Sequence, residues 1–125
     1  MLRRPFHRAG ARSRDRGQVA VEYVGLLPIL IIVALCAVQL GLAVYAVQQA
    51  GTASRAAARA AAQNNHTIDY RSAGEAAVSD WLTARVDPPK VTYDSVEVTV
   101  HVDIPSVVPG VGFGSAERSV TMPRD

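Results

Sequence analysis

The chain has 125 residues, of which 49% are hydrophobic, and one cysteine, Cys36. This length allows one small domain beyond any membrane segment, and a single cysteine excludes an intramolecular disulfide. The net charge of +2 hides an asymmetry, because residues 1–17 hold six arginines and one aspartate, which leaves 7 basic and 10 acidic side chains for residues 18–125. The excess of positive charge is confined to the N-terminus, so the pI of about 9.0 does not indicate nucleic-acid binding.

A long uncharged stretch follows the arginines, from residue 23 to residue 54. Its first 25 residues, YVGLLPILIIVALCAVQLGLAVYAV, exceed the length that crosses a bilayer as a helix, which is about 20 apolar residues. Because the arginines precede this span, the positive-inside rule predicts a cell-membrane protein with a cytoplasmic N-terminus and an extracytoplasmic C-terminus. A cleaved secretory signal is the rival interpretation, but the apolar core of such a signal has only about 7 to 15 residues.

The acidic residue nearest the membrane is Glu22, in the sequence RGQVAVEYVGLLP. An acid costs about 2.5–3.5 kcal/mol at the centre of a membrane helix and less near its ends, so a group that stabilises the charge of Glu22 is expected. One interpretation is a carboxylate favoured by the positive end of a helix. In the other, a peptidase cuts after Gly17, and the new ammonium group of Gln18 pairs with Glu22 of an axially staggered neighbour. Glycine before the cut leaves the backbone unobstructed.

Gly17, Glu22, Pro28 and the later run ASRAAARAAA together resemble the TadE-like pseudopilins of the tight adherence (Tad/Flp) pilus system, over about residues 16–62. The resemblance implies processing by a prepilin peptidase, retention in the membrane and a minor structural part in assembling a type IV pilus. The implied partners are membrane lipid, other pilins or pseudopilins, and the pilus assembly platform. Tyr23 stands where many members carry phenylalanine.

The helical pattern continues beyond the span, because residues 50–62 contain eight alanines. A helix over residues 18–63 is therefore predicted, projecting outside the membrane, with a kink at Pro28. Small residues recur along this helix at every fourth position and predict a ridge that another helix can approach closely. The alternative is that the alanines only favour helix formation and have no packing partner. The ridge comprises Ala46, Ala50, Ser54 and Ala58. Ala37 and Gly41 repeat this spacing within the span, whereas Gln39 and Gln48 are not expected to form a site.

Residues 64–125 predict a small acidic module, with nine acidic and five basic side chains. Ser72 as N-cap and a helical spacing of apolar residues predict a helix over 72–86. Valines that alternate with polar residues then predict a strand of about ten residues over 95–104, with a hairpin or bulge at residues 94–95, and AERSVTMP predicts another strand. The expected fold class is therefore α+β: a long transmembrane helix followed by an extracytoplasmic module of one helix and two or three antiparallel strands.

Three parts are thus expected along the chain: a basic cytoplasmic leader (1–17), a transmembrane and projecting helix (18–63) and the outer module (64–125). A domain of about 60 residues buries only about 60% of its unfolded surface, so packing of the module on the projecting helix or on a partner is expected. The apolar loop 105–114 is expected either to fold over its own sheet or to form a contact surface.

Few residues suggest catalysis or ligand binding. The histidines His7, His66 and His101 lack the spacing of metal ligands, and a solvated strand face is a better interpretation of His101 with Glu97 and Asp103 than a weak metal site. We therefore expect no enzyme, cofactor, metal, nucleic acid or small-molecule substrate. Two alternatives to the tight adherence pseudopilin stay open: a single-pass signal-anchored envelope protein with an acidic partner-binding ectodomain, and a pseudopilin of a secretion or DNA-uptake system.

Overall fold

The computed structural model describes the backbone of residues 11–63 and 69–124, and the side chains of residues 15–63 and 69–124. His7 and His66 lie outside these ranges. The described elements are α1 (Ala11–Ala62), α2 (Tyr70–Ala76), β1 (Ala84–Val86), β2 (Lys90–Val91), β3 (Ser95–Asp103) and β4 (Ser115–Pro123). The α+β class predicted from the sequence is confirmed. The chain forms two compact units with their boundary within α1: the residues up to Cys36, whose described part is called the inner helix, and the residues from Ala37 onward, called the outer unit.

Helix α1 has 52 residues and is continuous through Pro28. It begins seven residues before the predicted start at residue 18 and ends at Ala62, one residue before the predicted end. Its outer part is rich in alanine, the strongest helix former, which explains why the helix continues well past the apolar span. Proline 28 removes one backbone hydrogen bond of the helix, and the kink expected there stays a prediction.

Strand β3 is the centre of a four-stranded antiparallel sheet. Strand β4 pairs along the whole of β3, from Ser95↔Pro123 to Asp103↔Ser115. Strands β1 and β2 pair with opposite ends of β3, around residues 100–102 and 96–97 respectively. The hairpin expected at residues 94–95 is confirmed, because the Thr92 N–H donates to the Ser95 carbonyl across the turn, at 2.8 Å.

The helix predicted over residues 72–86 is wrong for most of its length. Helix α2 has only seven residues, and the last three residues of the predicted helix form β1. These three residues pair with β3, a partner remote in sequence that local helical spacing does not report. The N-cap is Asp69 and not Ser72, whose hydroxyl instead lies 3.5 Å from an Asp69 carboxylate oxygen.

The core of the outer unit joins one face of the sheet to one face of α1. Alternate residues of β3 point inward, and these four valines are at most 1% exposed. Small side chains of α1, all 0% exposed, belong to the same core. The valines are Val96, Val98, Val100 and Val102, and the helix residues are Ala46, Ala50, Ala53, Ser54, Ala57 and Ala58. A helix face without long side chains allows close packing of a small module that has no disulfide.

Candidate functional site: the exposed inner helix and the outer unit

The residues of the expected processing site lie on the exposed surface of α1. Gly17 and Gln18 are both exposed, and a Cβ built on Gly17 would meet nothing within 4 Å. The peptide bond between them is part of the helix. A glycine inside a helix costs about 1 kcal/mol relative to alanine, so local opening for a peptidase is least costly at such a residue.

Glu22 lies one turn after Gln18 on the same helix and is also exposed. Among the side chains that the structure describes, none forms an ion pair with it. Its carboxylate is therefore left for water or for a cation from another molecule. The assembly role expected for Glu22 and Pro28 stays a prediction.

The inner part of α1 presents a continuous apolar surface. It is long enough and apolar enough to cross a membrane, and almost none of its most apolar part is buried within the described structure. The side chains left exposed are those typical of a membrane helix: Val19, Val21, Tyr23, Val24, Leu26, Leu27, Ile29, Leu30, Ile31, Ile32, Val33, Leu35, Val38 and Leu40. A soluble monomer rarely exposes so large an apolar surface, and this one has the length and composition of a single-pass membrane anchor.

The ridge of small residues is covered by the chain itself. Ala46, Ala50, Ser54 and Ala58 are fully buried in the core that α1 shares with the sheet. The ridge does allow close packing, as its spacing indicates, but the partner seen here is the chain's own module. Its role in assembly between subunits stays a prediction. Gly41, by contrast, is exposed, and a Cβ built there would meet no atom within 4 Å.

Gln39 is a contact residue that the sequence interpretation missed. Its side chain is 8% exposed, and its amide forms two hydrogen bonds with the loop after β3. The Gln39 Nε2 donates to the Pro105 carbonyl at 3.0 Å, and the Val107 N–H donates to Gln39 Oε1 at 3.1 Å. One side chain therefore satisfies a backbone acceptor and a backbone donor of the loop 105–114 and fixes that loop to α1.

A second set of polar contacts fixes the connection between α2 and β1. The Tyr45 and Ser79 hydroxyls are hydrogen bonded at 2.7 Å, and the Ser79 N–H donates to Gln49 Oε1 at 3.3 Å. The Tyr45 ring also stacks on Trp81, with centroids 5.6 Å apart and planes inclined by 6°. Polar and aromatic side chains of α1 thus hold two loops of the outer unit in place.

The outer face of the sheet carries polar contacts between His101 and two carboxylates. His101 Nε2 lies 2.9 Å from Asp87 Oδ2, and His101 Nδ1 lies 3.8 Å from Glu117 Oε2. Neither neighbour is one of the two acids that the sequence placed beside His101, because Asp87 and Glu117 come from adjacent chain segments. Within residues 15–63 and 69–124 no group of three or more metal-ligating side chains could hold an ion.

Together the exposed inner helix and the outer unit define a single-pass membrane protein with a small α+β module. The family model described as TadE-like protein matches residues 17–59, which include Gly17, Glu22 and Pro28. The resemblance drawn from these residues is confirmed over that segment, about a third of the chain. At the family level the match indicates a minor pilin-like structural component associated with the tight adherence pilus. Neither a curated protein nor a solved structure matches the chain significantly.

Proposed function

We propose that the protein is a TadE-like minor pilin or pseudopilin, a membrane-anchored structural subunit in the assembly of a tight adherence pilus. One coincidence carries the proposal: the family match over residues 17–59 begins at the exposed Gly17 and includes all the large apolar side chains that α1 leaves exposed. Partners that recognise the family segment, other pilins and the assembly platform, therefore have a free helix surface to contact.

In this proposal a prepilin peptidase cuts between Gly17 and Gln18. The exposure of both residues and the low helical propensity of glycine support such a cut. The leader with its six arginines is then cytoplasmic, and the mature chain begins with a free α-amine. The outer module lies on the other side of the membrane.

Glu22 then acts between subunits. Its exposed carboxylate lies close to the start of the apolar surface, where an unpaired acid is costly. The α-amine at Gln18 is mostly protonated at neutral pH and supplies a cation one helical turn away along the axis. A neighbouring chain displaced axially by about one turn brings its amine level with this carboxylate. The pair stabilises subunits side by side and has no part in folding of the outer module.

Substitution of Glu22 tests this function. Glu22→Gln should insert into the membrane as well as the wild type, while crosslinking between subunits and pilus formation fall. Glu22→Lys should be worse, because it places two cations together. Glu75→Gln, which removes an exposed carboxylate from the outer unit, is the matched control and should change neither property. Wild-type crosslinking and piliation in Glu22→Gln would contradict the assembly role and leave Glu22 as a solvated carboxylate on the surface of α1.

A further inference from the structure

The loop between β3 and β4 has a fixed position on α1. Beyond the last strand pair, Asp103↔Ser115, the Ile104 N–H donates to the Gly114 carbonyl at 3.0 Å and closes the loop. The two hydrogen bonds of Gln39 then hold the loop at one level of α1. The depth of Gln39 in the membrane therefore determines the depth of the loop.

Helix geometry places Gln39 near the outer surface of the bilayer. A hydrocarbon core of about 30 Å takes about 20 helical residues at about 1.5 Å each. Counted from Val19, the first exposed large apolar residue of the segment, these residues end at Val38. Counted from Tyr23, the first residue after Glu22, they end at Leu42. Either count puts Gln39 within about one turn of the point where α1 leaves the acyl chains.

The composition of the loop suits this depth. Residues 104–114, IPSVVPGVGFG, contain no charged side chain. Val111 and Phe113 are 46% and 43% exposed, although both are apolar. The loop thus offers uncharged, partly uncovered apolar side chains at the level where headgroups meet acyl chains.

The opposite end of the sheet has a different character. The turn between β2 and β3 carries Tyr93, which is 99% exposed, and Asp94, whose carbonyl accepts a hydrogen bond from the Arg124 N–H. Arg124 lines a cavity together with Ala60, near the C-terminal end of α1. Ala60 lies 21 residues after Gln39, or about 32 Å along the helix. The turn at Tyr93 is therefore polar and far from the bilayer. The loop 105–114, which is hydrogen bonded to Gln39, is uncharged and lies near the bilayer surface.

Trp81 belongs to the membrane-proximal end. It is 58% exposed and stacks on Tyr45, six residues after Gln39 and so about 9 Å farther along α1. Headgroup regions add about 5–7 Å to each side of the hydrocarbon core, and tryptophan and tyrosine are enriched at that depth. Counted from Tyr23, the hydrocarbon core ends at Leu42, and Tyr45 lies three residues, or about 4.5 Å, beyond it, so this count puts the stacked pair at headgroup level.

We propose that the loop 105–114 and Trp81 form a lipid-contacting surface, with Val111 and Phe113 inserted at the boundary between headgroups and acyl chains of the outer leaflet. The occupant is the lipid surface itself, continuous with the lipid around α1. Because the loop has no charge, the contact is apolar and does not depend on anionic lipid or on salt. The proposal rests on the membrane anchoring contained in the proposed function.

The chain has one tryptophan, which allows a direct fluorescence test. The full chain is reconstituted in phosphatidylcholine vesicles whose acyl chains are brominated close to the headgroup. In a Trp81→Phe background, Phe113→Trp should lose most of its emission to the bromines, whereas Tyr93→Trp should keep its emission. Leu30→Trp, within the apolar span, is the anchoring control and should be quenched by deeply brominated chains. An unquenched Leu30→Trp would contradict the anchoring itself and not only the loop contact.

With Leu30→Trp quenched, three results would contradict the lipid contact. A red-shifted, unquenched Phe113→Trp would place the loop in water. A blue-shifted, unquenched emission would show that another protein chain covers the loop. Quenching that requires phosphatidylglycerol, or that salt abolishes, would show an electrostatic contact in place of the apolar one. Equal quenching with and without phosphatidylglycerol supports the proposal.

Discussion

Gly74 of α2 packs directly against Ala57 of α1: a Cβ built on Gly74 would lie 3.2 Å from the Ala57 Cβ. The same Cβ would lie 2.6 Å from Cγ2 of Val86, which is buried in the core. The absence of a side chain at residue 74 is therefore what lets the short helix, the long helix and β1 meet. No local pattern around Gly74 indicates this contact, because its partners are 17 and 12 residues away.

Replacement of Gly74 by alanine should destabilise the outer unit. Overpacking of a core costs about 1–3 kcal/mol, and this exceeds the gain in helical propensity, which is at most about 1 kcal/mol. Thermal unfolding of the full chain in detergent measures the change. In a Val86→Ala background the same substitution should cost less, because the closest clashing atom is gone. Gly112→Ala, in open space on the loop, is the control. Equal costs of Gly74→Ala in both backgrounds would refute the contact with Val86.

Gln39→Leu should release the loop 105–114 from α1. The substitution leaves the Pro105 carbonyl and the Val107 N–H without their partner, and each such group, when buried, costs about 1–3 kcal/mol. Hydrogen exchange at the Val107 amide should accelerate, while exchange in β3 stays slow. Gln48→Leu, at an exposed position of the same helix, should change neither rate. Unchanged protection of Val107 in Gln39→Leu would show that the loop is held by other contacts.

Replacement of two alanines of α1 by leucine should distinguish folding of the outer unit from assembly between subunits. Ala50 is fully buried against the chain's own module, so Ala50→Leu overpacks that core and should lower its stability by about 1–3 kcal/mol. Ala37 is exposed and lies one turn before Gly41, so Ala37→Leu should leave stability unchanged and weaken association of α1 with other helices. Thermal unfolding reports the first effect and crosslinking between subunits the second. Reversed effects of the two variants would mean that the module is not seated on the alanine ridge.

The orientation of the chain across the membrane can be tested by labelling of introduced cysteines. Tyr93 is 99% exposed in the outer unit, so Tyr93→Cys in a Cys36→Ser background should react with a membrane-impermeant thiol reagent on intact spheroplasts. In an uncut Gly17→Leu chain, Asp15→Cys should react only after lysis, because the leader is on the cytoplasmic side. If Tyr93→Cys reacted only after lysis, the orientation of the chain would be the reverse of the one proposed.

The elements that the sequence predicts correctly are those with a strong local period. The long helix follows from an apolar run joined to alanines, and β3 follows from strict alternation between residues 96 and 104. The predicted helix over 72–86 fails because alanines at helical spacing are also compatible with a turn followed by a short strand. Residues Ala84–Val86 form a strand because they pair with β3. Their partners in β3 lie 14 or more residues farther along the chain, so the local spacing does not report them.

The residues of the candidate site also differ in whether the sequence predicts them. Gly17 and Glu22 are visible in sequence because their chemistry is unusual beside a membrane span. Gln39 is not, because one neutral polar residue in an apolar run is compatible with simple tolerance in a membrane helix. Its partners are the backbone groups of residues 105 and 107, more than 60 residues away. The spacing of small residues from Ala46 to Ala58 predicts a packing surface, but spacing alone does not say which molecule packs there.

Cleavage after Gly17 is measured directly by the intact mass of the protein extracted from membranes of a peptidase-competent cell. The expected mass is that of residues 18–125, a chain of 108 residues that begins at Gln18, apart from any modification of the new amine. Gly17→Leu should keep its leader, whereas Gly25→Leu, at an equally exposed glycine of α1 with nothing within 4 Å of a built Cβ, should be cut normally. A wild-type protein that still carries residues up to Gly17 would contradict the pseudopilin assignment and leave a signal-anchored membrane protein.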